Sequence, residues 1–395
     1  MTSPDAAIYD QATKDLDPPF AVIDLAAFDD NADDLVRRAN GTPIRLVSKS
    51  VRCRYLLERA LAKPGFAGLM CYSLAEALWH VEQGTSDDIL VAYPTVDHGA
   101  LRRLVADDRA REIVTIMVDS VEHLDVVDAA VGHAHGDVRV CLELDASWRP
   151  LGLVHVGTRR SPVFTVRQAA ELARKVVTRK GFRLVGLMAY EGQIAGFPDA
   201  TGSRTDSAVR WMQRKSAREL ARRRAATVRA VRAVADLEFV NGGGSGSLET
   251  TGAERVVTEV AAGSGLIGST LFDSYTRFRP RPAALFALPV VHKPTNNIAT
   301  LFSGGYIASG PPSASRQPSP YLPSGLKLLS LEGAGEVQTP VRGKAARDLR
   351  LGDRVWLRHA KAGELAERFT HYHVVVDGRV ERTVPTYRGE HQNFG

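Results

Sequence analysis

Short apolar runs alternate with helical stretches between about residue 43 and residue 272, and this alternation restricts the fold more than any other feature of the sequence. The runs are rich in Val, Ile and Leu, as expected for strands that are buried on both faces. Between them, apolar residues recur three and four positions apart, which predicts amphipathic helices. The predicted strands cover residues 44–47, 67–71, 89–92, 113–118, 138–144, 184–189, 237–240 and 265–267.

Eight strands that are each followed by a helix predict an α/β fold, a (β/α)8 TIM-type barrel. An open, doubly wound sheet also fits the alternation, but the count of eight favours the barrel. After Pro280, Gly, Pro and Ser turns separate short alternating strands, which predicts a C-terminal antiparallel β domain. The expected division is an N-terminal segment (1–20), a barrel (21–280) and the β domain (281–395). The strand-like residues 20–24 either join the β domain or cover the barrel.

Composition excludes several classes of partner. The net charge of +6 reflects 51 basic against 45 acidic residues spread along the chain, so no nucleic-acid partner is expected. The densest basic block, residues 214–229, is predicted to be a solvated helix face. The N-terminus is polar and acidic, unlike a signal peptide, and no apolar run approaches the length of a membrane span. The three cysteines are expected to be reduced and buried, which favours a cytoplasmic protein.

Active sites of such barrels lie at the C-terminal ends of the strands, where this sequence places a lysine and two glycine-rich loops. Lys49 follows the first strand and can form a Schiff base with an aldehyde cofactor, although a plain surface lysine fits that position too. The loop 242–247 follows the seventh strand, and Gly263 and Ser264 open the predicted eighth strand. Loops at these positions often bind phosphate, although either could be a tight turn. A Schiff-base lysine opposite a phosphate anchor predicts pyridoxal 5'-phosphate.

Two further residues stand at strand ends. Arg149 follows the fifth strand and is predicted to donate hydrogen bonds to the phenolic oxygen of the cofactor, unless it pairs with Asp145 instead. Tyr190 follows the sixth strand and either flanks the cofactor ring or packs in the core. The polar, turn-rich stretch 192–216 is long for a barrel loop, which indicates a functional loop.

These residues resemble the D-threonine aldolase and D-serine dehydratase group, whose barrel is similar to that of alanine racemase, a fold type III pyridoxal-phosphate enzyme. The resemblance covers most of the chain and is best in residues 19–24, 44–49, 68–77, 88–91, 185–193 and 242–247. It implies that Lys49 forms the Schiff base. It also implies a homodimer in which each β domain helps to close the partner's active site. The residues that it implies for phosphate binding are Gly243, Gly244, Ser245, Gly246, Gly263 and Ser264.

The sequence departs from this group at two places. The group has an arginine where this chain has Ala261, so the partner of the pyridine nitrogen is left open. The group also carries a His-x-Asp or His-x-Cys pair that binds a divalent metal, whereas this chain has His359 followed by Lys361. A protonated lysine has no lone pair for a metal. We therefore expect the Lys361 ammonium to replace the charge of the metal, with metal binding through other groups, such as His371 or His373, as the alternative.

The resemblance implies a lyase that acts on a small-molecule D-3-hydroxy amino acid. Retro-aldol cleavage needs a base for the β-hydroxyl proton, and His359 is the predicted base. β-Elimination of the D-serine dehydratase type needs help for the leaving hydroxide, which a metal would supply. Loss of the metal pair favours the aldolase. Racemisation, with His359 as a second base, stays open, and a non-catalytic pyridoxal-phosphate-binding protein is the alternative of another class.

Overall fold

The computed structural model describes residues 6–395, which form a closed parallel barrel and a separate mixed sheet. The strands are β1 (Phe20–Asp24), β2 (Ile44–Val47), β3 (Phe66–Cys71), β4 (Ile89–Val91), β5 (Val114–Val118), β6 (Val138–Glu143), β7 (Phe182–Ala189), β8 (Phe239–Gly242), β9 (Glu259–Ala262), β10 (Ala284–Thr295), β11 (Ile298–Phe302), β12 (Ser319–Leu322), β13 (Lys327–Leu328), β14 (Gln338–Arg342), β15 (Arg354–Arg358), β16 (His371–Val376) and β17 (Arg379–Pro385). The α-helices are α1 (Ala6–Ala12), α2 (Leu25–Ala39), α3 (Arg54–Leu61), α4 (Leu74–Gln83), α5 (His98–Ala106), α6 (Asp108–Ile113), α7 (Val121–Val131), α8 (Val166–Thr178), α9 (Gly192–Ala195), α10 (Asp206–Arg232), α11 (Leu248–Gly252) and α12 (Ser264–Ile267).

The predicted eight-stranded barrel is confirmed. Strands β2 to β9 pair in parallel, and β9 closes the circle on β2, with Ile44 opposite Val260. Apolar side chains from six successive strands meet in one buried cluster, which requires them to point into the barrel. The interior is therefore a packed core rather than a pore. These side chains are Met70, Leu90, Met117, Cys141, Met188 and Phe239.

The eighth strand was predicted at the wrong place. It spans Glu259–Ala262, and residues 264–267 form the short helix α12. The apolar run 265–267 is buried, but it packs as a helix, because periodicity alone does not separate a short buried strand from a short buried helix. Gly263 and Ser264 therefore follow the strand at its C-terminal end, where a ligand-binding loop belongs.

Local sequence signals define the ends of several barrel helices. Asp24 caps α2 by accepting a hydrogen bond from the Ala27 N–H at 2.9 Å. Ser73 caps α4 in the same way through the Glu76 N–H, and Gly84 ends that helix with a positive φ of 66°. These caps place the β-to-α turns of the barrel where the strands end.

The second sheet has strand order β13-β14-β11-β10-β1-β16-β17, and β15 connects β10 with β12. Strand β1 lies in this sheet, antiparallel to β10 and parallel to β16, so the strand at 20–24 joins the C-terminal domain rather than the barrel that was assigned residues 21–280. Its central residues Ala21, Val22 and Ile23 are fully buried, which an apolar strand achieves only in the middle of a sheet. The boundaries of the domains stay a prediction.

Loops of the second sheet contact the barrel. The backbone N–H of Thr270 donates to the carbonyl of His359 at 3.1 Å, and Arg358 pairs with Asp273. At Gly363, whose φ is +93°, any Cβ would clash with the carbonyl oxygen of Lys49. Within residues 6–395, no helix combines the length and apolarity that crossing a membrane requires.

Candidate active site

A cavity of about 790 Å³, called the mouth cavity below, opens at the C-terminal ends of the barrel strands. Residues that follow β2, β4, β7, β8 and β9 line it, together with three residues from the C-terminal sheet domain, Arg316, Lys361 and Ala362. Among the described residues 6–395, the charged residues that line it are all cations, namely Lys49, Arg160, Arg316 and Lys361, and none is a carboxylate. The cavity therefore fits anionic ligands.

Lys49 lies on the short 3-10 turn that follows β2, and its side chain is exposed to the mouth cavity. Its Nζ donates a hydrogen bond to the Tyr93 hydroxyl at 2.9 Å. Burial alone would raise the pKa of Tyr93, but the Lys49 ammonium lowers it below its ordinary value. The structure therefore supplies an accessible amine with a phenol that can exchange a proton with it.

Arg160, rather than Arg149, is the arginine that faces the mouth cavity. Arg149 pairs with Asp145, the alternative that the sequence left open, and also donates to the Ser147 hydroxyl at 3.1 Å. The Arg160 guanidinium lies 5.3 Å from the ring centres of both Tyr93 and Tyr190, and Tyr190 lines the cavity. Arg160 was not predicted from the sequence, because it lies well beyond the C-terminal end of β6 and not at the strand end itself.

The glycine loop (242–247) and the start of α12 form one wall of the mouth cavity. Gly243, Gly244, Ser245, Gly263 and Ser264 line it, whereas Gly246 is not among its lining residues. The Ser245 hydroxyl joins the two loops, since it accepts hydrogen bonds from the Gly265 N–H at 3.1 Å and the Ser264 hydroxyl at 3.3 Å.

Two of these glycines have no room for a side chain. A Cβ at Gly246 would clash with the carbonyl oxygen of Ala195, and one at Gly263 would clash with that of Val47. Close backbone packing of this kind brings backbone N–H groups and small hydroxyls to a ligand, as phosphate sites require.

A buried ion pair supports the glycine loop from below. Glu191 accepts a hydrogen bond from Arg224 at 2.8 Å and one from the Gly243 N–H at 3.2 Å, and it also bonds the hydroxyls of Ser247 and Thr251. Both charged side chains are fully buried. Arg224 belongs to the basic block of α10 that was predicted to be solvated, and this prediction is wrong for Arg224. Glu191 lies in the stretch 185–193 but was given no role from the sequence, because its partner Arg224 lies 33 residues away.

The two residues at the predicted metal position differ in their exposure to the cavity. His359 is buried, does not line the mouth cavity, and neither ring nitrogen has a hydrogen-bond partner within residues 6–395. Burial lowers its pKa to about 3. Lys361 lines the cavity and donates to the Ser309 hydroxyl at 2.9 Å. Burial lowers the pKa of Lys361; the charges of Arg316 and Lys49 add to this effect, and Glu364 opposes it.

Other histidines lie away from this cavity. His371 and His373 lie on β16, where His371 bonds Thr370 and His373 bonds Thr383, and neither lines the mouth cavity. The ligand atoms of Cys71, Glu76 and His80 lie within 4.8 Å of one another, close enough to hold a metal ion.

In the group formed by Cys71, Glu76 and His80, the hydroxyl of Tyr387 is hydrogen-bonded to Glu76 and His80. Its hydroxyl donates to Glu76 at 2.9 Å and lies 2.7 Å from a ring nitrogen of His80. All three members of the group are buried, and burial raises the pKa of Glu76 to about 7. We interpret the group as a hydrogen-bonded core cluster.

Comparisons with known proteins show what the chain is similar to in sequence and in fold. The model of the family described as alanine racemase, N-terminal domain, matches residues 23–270. A D-threonine aldolase of Arthrobacter sp. is 29% identical over 297 residues, which are 73% of this chain and 72% of that protein. A 3-hydroxy-D-aspartate aldolase of Paracoccus denitrificans is 25% identical over 63% of this chain and 60% of its own length. The crystal structure of a D-threonine aldolase from Filomicrobium marinum superposes with a TM-score of 0.79 at 21% identity, covering 95% of this chain and 96% of that one.

Proposed function

Since the chain belongs to the family of the alanine racemase N-terminal domain, we propose that it is a pyridoxal-phosphate-dependent lyase that cleaves a D-3-hydroxy amino acid by a retro-aldol reaction. The two aldolase relatives support this choice, since both names describe retro-aldol enzymes of D-amino acids. The single observation that carries the proposal is that Lys49, Lys361 and the glycine loop line one cavity.

The residues of the mouth cavity fit pyridoxal 5'-phosphate. Gly246 and Gly263 leave no space for a side chain, so the backbone of both loops packs closely against neighbouring backbone, and residues of both loops line the cavity, as a phosphate site needs. Lys49 would hold the cofactor covalently, and Arg160 would donate to its phenolic oxygen. Tyr190 would flank the ring. Bound in this way, the cofactor would weaken the bonds at the Cα of the amino acid by withdrawing electrons from it.

Lys361 is the proposed base for the β-hydroxyl proton, in place of His359. A base must reach the proton that it removes, and His359 is buried outside the cavity whereas Lys361 lines it. The lowered pKa of Lys361 increases the share of the neutral amine, the form that accepts a proton. β-Elimination would need a proton donor for the leaving hydroxide, so the same lowered pKa favours aldol cleavage.

Tyr93 and Ser309 position the two amines. Tyr93 accepts a hydrogen bond from Lys49, and Ser309 accepts one from Lys361, both at 2.9 Å. Because Lys361 comes from the C-terminal domain, that domain completes the proposed site, which supports an enzyme rather than a cofactor-binding protein made of a barrel alone.

The remaining proposals concern assembly and location. We propose a homodimer, as the resemblance implies, and the mass of the protein in solution tests it. A cytoplasmic location is supported by the three cysteines, which are free and buried. A divalent metal is not part of the proposed mechanism, because Lys361 takes the role of the base and His359 lies outside the lining of the mouth cavity.

The proposed function is tested by supplying the purified protein with pyridoxal 5'-phosphate and the two enantiomers of threonine and of serine. Acetaldehyde and glycine are measured separately from ammonia, with and without a chelator. We expect acetaldehyde and glycine from D-threonine, with or without the chelator. Ammonia as the main product, or a reaction that the chelator abolishes, would contradict the proposal.

A variant separates the cofactor site from the reaction. Lys49→Ala is expected to lose the near-visible absorbance of the covalently bound cofactor, while the exposed Lys180→Ala serves as a control and keeps it. An undiminished absorbance band in Lys49→Ala would refute the role of Lys49.

A further inference from the structure

Arg316 is an arginine of the mouth cavity to which the proposed mechanism assigns no role. It lies at the end of a 3-10 turn (Ala314–Arg316) in a loop of the C-terminal domain, and it lines the same cavity as Lys49 and Lys361. Its Nε is buried and has no hydrogen-bond partner in the part of the chain that the structure describes. Within residues 6–395, its guanidinium donates no hydrogen bond and forms no ion pair. Arginine stays charged at any physiological pH, so a partly buried guanidinium without a partner is costly unless a ligand pairs with it.

The loop that carries Arg316 is held by backbone hydrogen bonds. The Ala308 N–H donates to the Arg316 carbonyl at 2.8 Å, and the Arg316 N–H donates to the Ser313 carbonyl at 2.9 Å. Gly310 packs against the guanidinium, since a Cβ at that position would lie 2.9 Å from Nε. The backbone of Arg316 is therefore fixed by hydrogen bonds, and its guanidinium lies between Gly310 and the mouth cavity that it lines.

Of the four cations that line the cavity, one remains available for the carboxylate of the substrate. In the proposed mechanism Lys49 is consumed in holding the cofactor, Arg160 faces the phenolic oxygen, and Lys361 exchanges a proton with the substrate. The phosphate has its own anchor in the glycine loop. Arg316 is the cation that is left, and every amino-acid substrate brings a carboxylate, whose two oxygens match the fork of a guanidinium.

We propose that Arg316 binds the α-carboxylate of the amino-acid substrate and thereby fixes the orientation of the substrate in the mouth cavity. This inference rests on the proposed function for the identity of the substrate as an amino acid. Its position agrees with that role, because the charge of Arg316 acts on Lys361, the group that meets the β-hydroxyl, and adds to burial in lowering its pKa. A carboxylate held there and a hydroxyl held at Lys361 would define two of the three points that chiral recognition needs.

The test measures binding of D-alanine and of D-alaninamide to the holoenzyme by calorimetry. D-Alanine has no β-hydroxyl and cannot undergo retro-aldol cleavage, and the amide lacks the negative charge. We expect Arg316→Ala to weaken D-alanine binding by roughly 10- to 100-fold, the range for a hydrogen-bonded charge, and to leave D-alaninamide binding unchanged. The control Arg342→Ala removes an exposed arginine of the same domain and is expected to change neither. If Arg316→Ala fails to fold, Arg316→Gln gives the same comparison.

The affinity for pyridoxal 5'-phosphate shows whether Arg316 binds the phosphate of the cofactor instead of the carboxylate of the substrate. Unchanged cofactor affinity in Arg316→Ala together with weakened D-alanine binding supports the proposal. Weakened cofactor affinity with unchanged D-alanine binding would mean that Arg316 holds the phosphate, which overturns it. D-Alanine binding that stays within about twofold in Arg316→Ala, or that is undetectable in the unaltered protein, also overturns it.

The proposed lyase function and the proposed role of Arg316 can be refuted independently of each other. If the protein cleaves D-threonine while Arg316→Ala binds D-alanine normally, the role of Arg316 is refuted and the lyase remains. If D-alanine binding depends on Arg316 but no 3-hydroxy amino acid is cleaved, the carboxylate site remains and the lyase is refuted.

Discussion

Removal of Glu191 is expected to destabilise the fold and to weaken cofactor binding together. Glu191 is fully buried, and in Glu191→Ala the buried Arg224 loses its 2.8 Å partner. Arg224 keeps Glu254 and the carbonyl of Ala189, so part of its charge remains matched. The Gly243 N–H loses an acceptor at the same time, which frees the start of the glycine loop.

The magnitude follows from the cost of breaking a buried ion pair. Loss of one partner typically costs about 3–5 kcal/mol, and the remaining partners of Arg224 favour the lower part of that range. For a chain of 395 residues, an unfolding entropy of about 2.1 cal/mol/K per residue sums to roughly 0.8 kcal/mol/K. The melting temperature of Glu191→Ala should therefore fall by roughly 4–5 °C.

The assay is thermal unfolding of the cofactor-free protein, followed by titration with pyridoxal 5'-phosphate. The matched control is Glu238→Ala, which breaks the half-exposed pairs with Arg139 and Arg183 and should cost less than about 1 kcal/mol. In the double variant Glu191→Ala/Arg224→Met, the loss of unfolding free energy should be smaller than the sum of the losses in the two single variants, because both substitutions remove the same ion pair. Equal melting temperatures for Glu191→Ala and the control, or additive losses, would refute the reasoning.

Three further outcomes are expected. Lys361→Met should lower the turnover of D-threonine by roughly 100-fold or more with cofactor absorbance unchanged, and normal turnover would exclude Lys361 as the base. Burial raises the pKa of Glu143 from 4.5 to about 7, so the contribution of the protonated Glu143 to the free energy of unfolding is complete below about pH 4.5 and is lost as the pH rises through 7. Glu143→Gln should therefore remove up to about 3 kcal/mol of the pH dependence of stability measured by urea unfolding. An unchanged pH profile would contradict the raised pKa of Glu143. Gly263→Ala should weaken cofactor binding because its Cβ meets the Val47 carbonyl, whereas Gly99→Ala on the surface of α5 should not, and equal affinities would show that the loop can move aside.

Much of the barrel could be predicted because it depends on patterns that are local in sequence. Seven of the eight predicted strand segments overlap strands of the closed barrel, since each is a short apolar run between helical stretches. The eighth failed because residues 265–267 are apolar and buried in either conformation, and only packing decides between strand and helix. Lys49, Tyr190 and the glycine loop were recognised because each directly follows a strand.

The tertiary structure decided which charged groups meet. Arg149 and Arg160 both follow β6, and a sequence does not show that one turns back to Asp145 while the other faces the cavity. His359 and Lys361 are two residues apart, yet one is buried and the other lines the cavity.

The amino-acid order alone therefore determined the barrel, its strand ends and the position of the anchoring lysine, because hydrophobic periodicity and chain direction act over a few residues. The composition of the cavity wall, with Arg160, Arg316 and the Glu191–Arg224 pair, was decided by contacts between segments that lie far apart in the chain. Those contacts depend on how the loops of two domains pack against each other, and the energy of a buried charge depends on all its neighbours at once.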